Sequence, residues 1–497
     1  MHTNANPQRT ALKLSTWQFG AISCLLVALP FAWVSFPPST DLPQHMSQIH
    51  LLLEVLRGEE TLYEIGWYAP NNLIYLILGG AWFLVSPALS GKITLMILAL
   101  LWSGAAFFLV AQRQRPPETA ILAALLIFNQ SVYWGFFNFL IGWPIFVLWL
   151  TQSLHPLHKK RWLLLVLLSA LLYASHALWF LLGSIWLLSL SVYQWSDWKT
   201  TLYRSLSLTP VGLASLVWYP QLVAARVNSG VNVAPYWFNT PCERLTPPYL
   251  VDSTFGGLQG PWEAGLMLAI AVWIALGIWS NIQNLKQKVD FPLVLCANMF
   301  FAMVLLAPDR YMNTIGFANR WLPCGLILIL VAIPPPKWHR HLNALVAICL
   351  LAAFSIKATQ IWHLFEQQEL AGLATSLQHL PKNQRVIGLD FIKRSKYLKG
   401  RPFPQTFAYA QALKGGKLNF SFAEHASSIV RYKKPRNISW RSGLEWYAER
   451  VRKADFLQFD YALIHANSKR HRALASRSYL KPVTRNGTWR LYRIIQS

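Results

Sequence analysis

The stretch Pro37-Pro38-Ser39-Thr40-Asp41-Leu42-Pro43-Gln44-His45 follows the first long apolar segment of the chain, residues 17–36. It places an acid and a histidine four residues apart where a membrane-embedded chain would first leave the hydrocarbon. An ionisable group is costly beside lipid, so one retained there usually has a function. The apolar segment has no small-residue cleavage site and leads into more apolar sequence, which favours a retained first helix.

The composition is that of a membrane protein. Hydrophobic residues make up 54% of the 497 and charged residues only 13%, against about 25% charged residues in soluble domains. Apolar runs long enough to cross a bilayer recur as far as residue 356. We therefore predict a polytopic α-helical membrane protein with about eleven transmembrane helices, plus interfacial helices. The predicted spans are roughly 17–36, 93–111, 118–132, 136–154, 162–174, 178–195, 206–224, 264–282, 290–307, 318–334 and 341–356.

The basic residues set the predicted orientation. Arg9 and Lys13 precede the first span, which predicts a cytoplasmic N-terminus. Eleven spans then place five basic loops on the cytoplasmic side and the C-terminus outside. We predict a multi-pass protein of the bacterial inner membrane.

The apolar run 70–88 does not fit this alternation. A full crossing there would place Arg113 and Arg115 outside. We therefore predict that 70–88 is interfacial or re-entrant within a first outer loop, residues 37–92. Apolar residues at helical spacing predict a helix over 44–57 that lies along the membrane surface.

The last 141 residues differ from the rest of the chain. Residues 357–497 carry 26 Lys and Arg against 8 Asp and Glu, a formal net charge of +18. Strand patterns near 384–389, 461–464 and 489–494 predict a small basic, periplasmic α/β domain, which follows a membrane domain over 1–356. Such charge suits lipid headgroups or a phosphorylated ligand. Nucleic acid is not a predicted partner, because the domain is expected outside the cytoplasm.

No metal, cofactor or disulfide is predicted. The five cysteines include no CxxC pair. The first outer loop has no DxD or ExD pair, so a divalent metal lacks support from an acidic pair.

Asp41 and His45 are the candidate catalytic residues. Asp41 would act as general base and take a proton from an acceptor hydroxyl. The alternative is an N-cap, since Ser39-Thr40-Asp41 precedes a predicted helix. His45 lies one helical turn further on and would orient the acid or join a metal. The alternative for His45 is a place on the polar face of an interfacial helix.

Three further residues are candidates for binding a substrate, two of them through a phosphate. Arg310 and Arg320 flank a short outer loop, and the arginine fork suits phosphate. The alternative is an ion pair with Asp309 or extension to the headgroups. His176 lies at the predicted tip of a hairpin over 162–195, where the alternative is a satisfied polar group at a helix break.

Asn138 and Tyr133 are candidates for contacting a sugar. They lie in the stretch NQSVYWGFFNFLIGWP, residues 129–144, at a predicted outer turn. Polar side chains among aromatic residues suit a sugar-binding surface, because aromatic rings pack against the faces of sugar rings. The alternative is an aromatic belt at the membrane interface.

The layout resembles the GT-C class of integral membrane glycosyltransferases. The shared features are a first span, a large outer loop with an acid near its start, interfacial helices, a run of spans and an outer C-terminal domain. The aminoarabinose and protein mannosyl transferase branches look most similar. In this resemblance Asp41 matches the first-loop acid, and Arg310 or Arg320 would match the basic residues on the lipid-phosphate side. The chain departs from the pattern at Asn138, where relatives often have a second acid.

The resemblance implies a glycosyltransferase that moves a sugar from a polyprenyl-phosphate carrier to an outer-face glycan, lipid or protein, in contact with membrane lipids. Two other classes stay open. One is a transporter or lipid flippase, and the other is a non-catalytic membrane assembly protein.

Overall fold

The computed structural model describes residues 7–67, 69–195, 197–228, 230–434 and 436–496, with side chains from residue 18 onward. The orientation predicted from Arg9 and Lys13 rests on side chains outside the described residues. The helices are α1 Pro7–Trp33, α2 Leu42–Leu56, α3 Leu73–Leu84, α4 Pro87–Gln112, α5 Pro117–Ala124, α6 Gln130–Trp134, α7 Phe137–Ser153, α8 Lys159–Ser175, α9 Ala177–Tyr193, α10 Trp198–Asn228, α11 Pro247–Thr254, α12 Trp262–Ser280, α13 Leu285–Lys288, α14 Phe291–Leu306, α15 Leu322–Ala332, α16 Arg340–Leu364, α17 Leu373–His379, α18 Tyr409–Lys414, α19 Lys453–Phe456 and α20 Ser468–Ala475.

The strands are short and gather into three sheets. They are β1 Tyr63–Ile65, β2 Arg310–Tyr311, β3 Thr314–Ile315, β4 Arg385–Asp390, β5 Lys417–Leu418, β6 Val430–Tyr432, β7 Tyr461–His465, β8 Leu480–Pro482 and β9 Trp489–Ile494. The largest sheet has the order β5-β4-β7-β9-β8, in which β4 is parallel to β5 and β7. The three strands expected from sequence are its central members.

The chain is largely helical, as predicted, but the structure does not confirm the predicted eleven spans. Among the described residues, four helices are long and apolar enough to cross a membrane: α4, α10, α12 and α16 with the turn that follows it. The bent pair 282–288 and 291–306 adds a fifth if it forms one span. Five shorter apolar helices, including α7 and α9, contain 10–17 residues. The count of eleven therefore stays a prediction.

Two apolar segments form shorter helices than their hydropathy suggests. The predicted span 118–132 breaks into α5, one 3₁₀ turn and α6. The break follows from Asn129, whose side chain accepts from the Ser131 N–H and starts a new helix. Helix α3 has 12 residues and is about 18 Å long, less than the hydrocarbon core of about 30 Å. A helix of that length agrees with the prediction that 70–88 is interfacial or re-entrant.

Helix α2 forms where it was predicted, but its polar face is not at a membrane surface. Gln44, Ser47 and Gln48 are buried. Gln44 donates to Gln405 at 2.8 Å, and the Ser47 hydroxyl donates to the Ala408 carbonyl at 3.0 Å. The polar face of α2 is therefore the docking surface for the C-terminal residues, a pairing that spans more than 300 positions in sequence.

The first outer loop and the C-terminal region are also joined by a sheet. Strand β1 pairs with β6 in antiparallel register, with Glu64 opposite Arg431, and the two side chains form an ion pair at 2.7 Å. Helix α16 runs through the predicted domain boundary at 356/357. The division of the chain at that point stays a prediction.

Candidate active site on the first outer loop

The loop before α2 is held against α6 by three hydrogen bonds. The Ser39 hydroxyl donates to the Val132 carbonyl at 2.6 Å. The Thr40 and Asp41 N–H groups donate to the next two carbonyls, those of Tyr133 and Trp134, at 2.9 and 3.1 Å. Because successive residues of the loop are hydrogen-bonded to successive carbonyls of α6, the backbone sets the position of Asp41 and its side chain does not.

The Asp41 carboxyl has no hydrogen-bond partner among the described residues, and it makes no cap bond to α2. Asp41 therefore occupies the N-cap position of α2, but its side chain does not cap the helix. Asp41 keeps part of its surface accessible, yet its carboxyl lies deep enough that desolvation raises its pKa to about 8. A carboxyl without donors or nearby cations holds its proton tightly. Once deprotonated, such a group is a strong base.

His45 is buried and uncharged, not on an exposed polar face. Its Nδ1 lies 2.9 Å from the Tyr75 hydroxyl, and its ring packs against Phe137 and Phe422. Burial lowers its pKa to about 4, which a hydrogen bond to the Gly135 backbone only partly opposes. Within the described part of the chain, no hydrogen bond joins the His45 ring to the Asp41 carboxyl. The ring fixes α2 against α3 and the end of α6.

Gly135 is the residue that lets Asp41 approach α6. It has a φ of +86°, in the region that favours glycine. A Cβ added here would lie 2.9 Å from both the Cβ and the backbone nitrogen of Asp41. Neither of these atoms can move away without breaking the backbone contact.

We expect Gly135→Ala to destabilise the protein and displace Asp41. The left-handed backbone alone should lower the free energy of unfolding by about 1–2 kcal/mol, and the overlap with Asp41 adds to this. Thermal unfolding in detergent measures the effect. Gly104→Ala in α4 is the control, because a Cβ at Gly104 meets nothing within 4 Å. Equal melting temperatures for the two variants would contradict the close approach.

Arg320 and His176 both lie near the Phe139 ring. Arg320 is 3% exposed, and its guanidinium lies 4.4 Å from the Phe136 ring and 5.3 Å from the Phe139 ring. It donates to the carbonyls of residues 315 and 316 and has no carboxylate partner among the described residues. Burial and the Arg320 charge together lower the pKa of His176 to about 3. His176 lies in the predicted helix break, where its Nδ1 accepts from the Leu178 N–H.

Arg310 lies apart from this group. Its guanidinium stacks on Tyr236 and Phe238 at 4.5 and 5.5 Å. The partner of Asp309 is Arg244, at 2.8 Å, so the expected alternative pairing of Asp309 with Arg310 or Arg320 is absent. Arg310 reaches the site only through the backbone of the β2–β3 hairpin, whose Ile315 carbonyl accepts from Arg320.

Residues 130–138, which we call the aromatic turn, bring the predicted residues together. Tyr133 and Asn138 lie on it, and each has a buried oxygen without a hydrogen bond. Tyr133 is 7% exposed and Phe137 is fully buried, so these rings are not a lipid-facing belt. The aromatic turn and Phe139, which follows it in α7, contact four of the predicted site residues: Asp41, His45, Arg320 and His176.

Sequence reasoning missed a polar cavity beside the aromatic turn. It has a volume of about 240 Å³ and is lined by Pro38, Thr40, Gln130, Tyr133, Trp134, Asp252, Gly256, Leu398, Lys399, Gly400, Arg401 and Pro402. Lys399 pairs with Asp252 at 2.6 Å and with the buried Glu263 at 2.9 Å. These partners are 147 and 136 residues away in sequence, so no local pattern could have paired them.

Within the described ranges, no three His, Cys, Asp or Glu side chains lie close enough to hold a metal ion. The carboxyl of Asp41 is electrostatically coupled to the Tyr75 hydroxyl, which the sequence did not single out either. What the site offers chemically is one carboxyl and one guanidinium near the aromatic turn, neither of which forms an ion pair among the described residues.

The helical architecture is that of a GT-C-like fold. It resembles the solved structure of ArnT from Cupriavidus metallidurans bound to undecaprenyl phosphate. The TM-score is 0.52 at 10% sequence identity, and the match covers 97% of this chain and 98% of that one. The resemblance predicted from sequence is thus confirmed at the level of the fold. No family model matches the chain, and no curated protein does.

Proposed function

We propose that this protein is a membrane glycosyltransferase that moves a sugar from a polyprenyl-phosphate carrier to an acceptor on the outer face of a bacterial inner membrane. The observation that carries the proposal is Asp41, a partly accessible residue whose carboxyl has a raised pKa and no hydrogen-bond partner among the described residues, on a fold like that of a protein crystallised with undecaprenyl phosphate. A base whose pKa lies near the working pH is efficient in proton transfer.

In the proposed reaction Asp41 takes the proton of an acceptor hydroxyl. The acceptor oxygen attacks the anomeric carbon of the sugar, and the bond from that carbon to the phosphate oxygen breaks. The electron pair of the broken bond leaves with the polyprenyl phosphate. Each step balances without a redox partner, and none requires a metal ion.

Arg320 is the proposed partner of the carrier phosphate. A buried guanidinium without a counter-ion is costly, and a phosphate would supply the missing negative charge in a bidentate geometry. His176 beside it is uncharged and would donate a hydrogen bond. Arg310 would assist only indirectly, because it lies in the β2–β3 hairpin whose Ile315 carbonyl accepts a hydrogen bond from Arg320. Tyr133 and Asn138 would contact the sugar through their unpaired oxygens.

The proposal is tested by reconstituting the purified protein in vesicles with a polyprenyl-phosphate-linked sugar and a mixture of lipid and glycan acceptors. We expect a new glycosidic product and an equal amount of free polyprenyl phosphate. Movement of the carrier across the bilayer without product would instead identify a flippase. Neither product nor movement, in protein that binds the carrier, would indicate an assembly role.

A further inference from the structure

The polar cavity beside the aromatic turn is a second potential binding site on the outer face. Four separate parts of the chain form it: the first outer loop at Pro38 and Thr40, the aromatic turn, the segment with Asp252 and Gly256 at the end of α11, and the loop 398–402 of the C-terminal region. The Thr40 hydroxyl donates to the Arg401 carbonyl at 3.2 Å and closes the contact between two of these parts. Asp41 does not line the cavity, although its N–H is bonded to Trp134, which does.

The lining combines rings with groups that bind hydroxyls. Tyr133 and Trp134 provide aromatic surface, while Gln130, Thr40 and Asp252 provide donors and acceptors. The Gln130 side-chain oxygen already accepts from Asn319 at 2.6 Å, so its amide N–H groups are available to a ligand. A few convergent polar groups on an aromatic wall are typical of small-molecule sites. The volume of about 240 Å³ lies below the 300–1,000 Å³ of drug-sized pockets, so it suits one ring.

The charges in the lining specify the ligand further. Lys399 is neutralised by Asp252 and Glu263. Arg401 lines the cavity and forms no ion pair among the described residues, and its guanidinium lies 5.6 Å from the centre of the Trp446 ring. Arg401 is exposed, and an arginine fork suits a phosphate or a carboxylate.

We propose that this cavity binds a sugar ring that carries a negatively charged group, with Arg401 holding the anion and Trp134 packing on the ring. The inference rests on the proposed function for the source of the ligand. Since the proposed function assigns the carrier phosphate of the donor to Arg320, the anionic sugar in this cavity would belong to the acceptor.

Binding is measured by calorimetry on the full-length protein in detergent, with glucose 1-phosphate and glucuronate as probes. We expect both to bind at least tenfold more tightly than glucose. Arg401→Gln should weaken both by at least tenfold. Arg394→Gln is the matched control, because Arg394 is exposed in the same segment and does not line the cavity. Trp134→Leu should weaken both sugars and leave inorganic phosphate unaffected.

Equal affinities for inorganic phosphate and glucose 1-phosphate would overturn the sugar assignment. Equal losses in Arg401→Gln and Arg394→Gln would overturn the site. Neither readout needs turnover, so the result stands even if the protein transfers no sugar. Added undecaprenyl phosphate is the last check: independent binding of glucose 1-phosphate supports an acceptor sugar in the cavity, and competition would place the probe at the carrier-phosphate site and overturn the assignment.

Discussion

Asp41→Asn is expected to lower the rate of sugar transfer by 10²- to 10⁴-fold, the usual contribution of a positioned general base. The amide has nearly the same shape as the carboxyl, so the packing against Gly135 and the backbone bonds to α6 remain. Only the ability to take a proton is lost. The measurement is kcat at saturating donor, with product followed by release of polyprenyl phosphate.

Stability and pH provide the controls for this variant. The pKa of Asp41 is raised to about 8 in the folded protein, so folding favours the protonated form. Its effect on stability therefore becomes more unfavourable as pH rises from about 4 to 8. Asp41→Asn removes that effect and should melt no lower than the wild type at pH 8. Wild-type kcat/KM should rise about tenfold per pH unit below 8 and then level off. Full activity in Asp41→Asn would refute the role of Asp41.

Glu263→Ala is expected to have the largest effect on stability. Glu263 is fully buried. One of its carboxylate oxygens accepts from the Gly257 and Leu258 N–H groups at 2.8 and 2.7 Å, and the other accepts from Lys399 at 2.9 Å. Removing one partner of a buried ion pair costs about 3–5 kcal/mol, and here two buried N–H groups also lose their acceptor. Thermal unfolding in detergent should show a large drop in melting temperature.

Asp252→Ala is the matched control for Glu263→Ala. It removes the other carboxylate that pairs with Lys399, at 2.6 Å, but the Asp252 side chain is 56% exposed. Exposed ion pairs contribute about 0–1 kcal/mol, so a small change is expected. Similar losses in the two variants would show that Lys399, and not the buried carboxylate, holds the loop 398–402 in place.

Several site residues were predictable because their signals are local. Asp41 stands out as an acid directly after an apolar span, and the break at His176 follows from a polar pair within a long apolar run. The burial of His45 was not predictable, since it depends on Phe422, which is 377 positions away. The cavity was missed for the same reason, because its walls come from four distant parts of the chain.

The amino-acid sequence by itself determined the membrane class, the helical segments, the three central strands and the likeness to a GT-C fold. Hydropathy and strand patterns are properties of short stretches, so they can be assigned without knowing the fold. Only the tertiary structure decided that the polar face of α2 docks against the C-terminal region, that Gly135 allows Asp41 to approach the aromatic turn, and that Arg320 has no carboxylate partner in the part of the chain that the structure describes. Each of these depends on contacts between residues far apart in sequence, which hydrophobic periodicity does not encode.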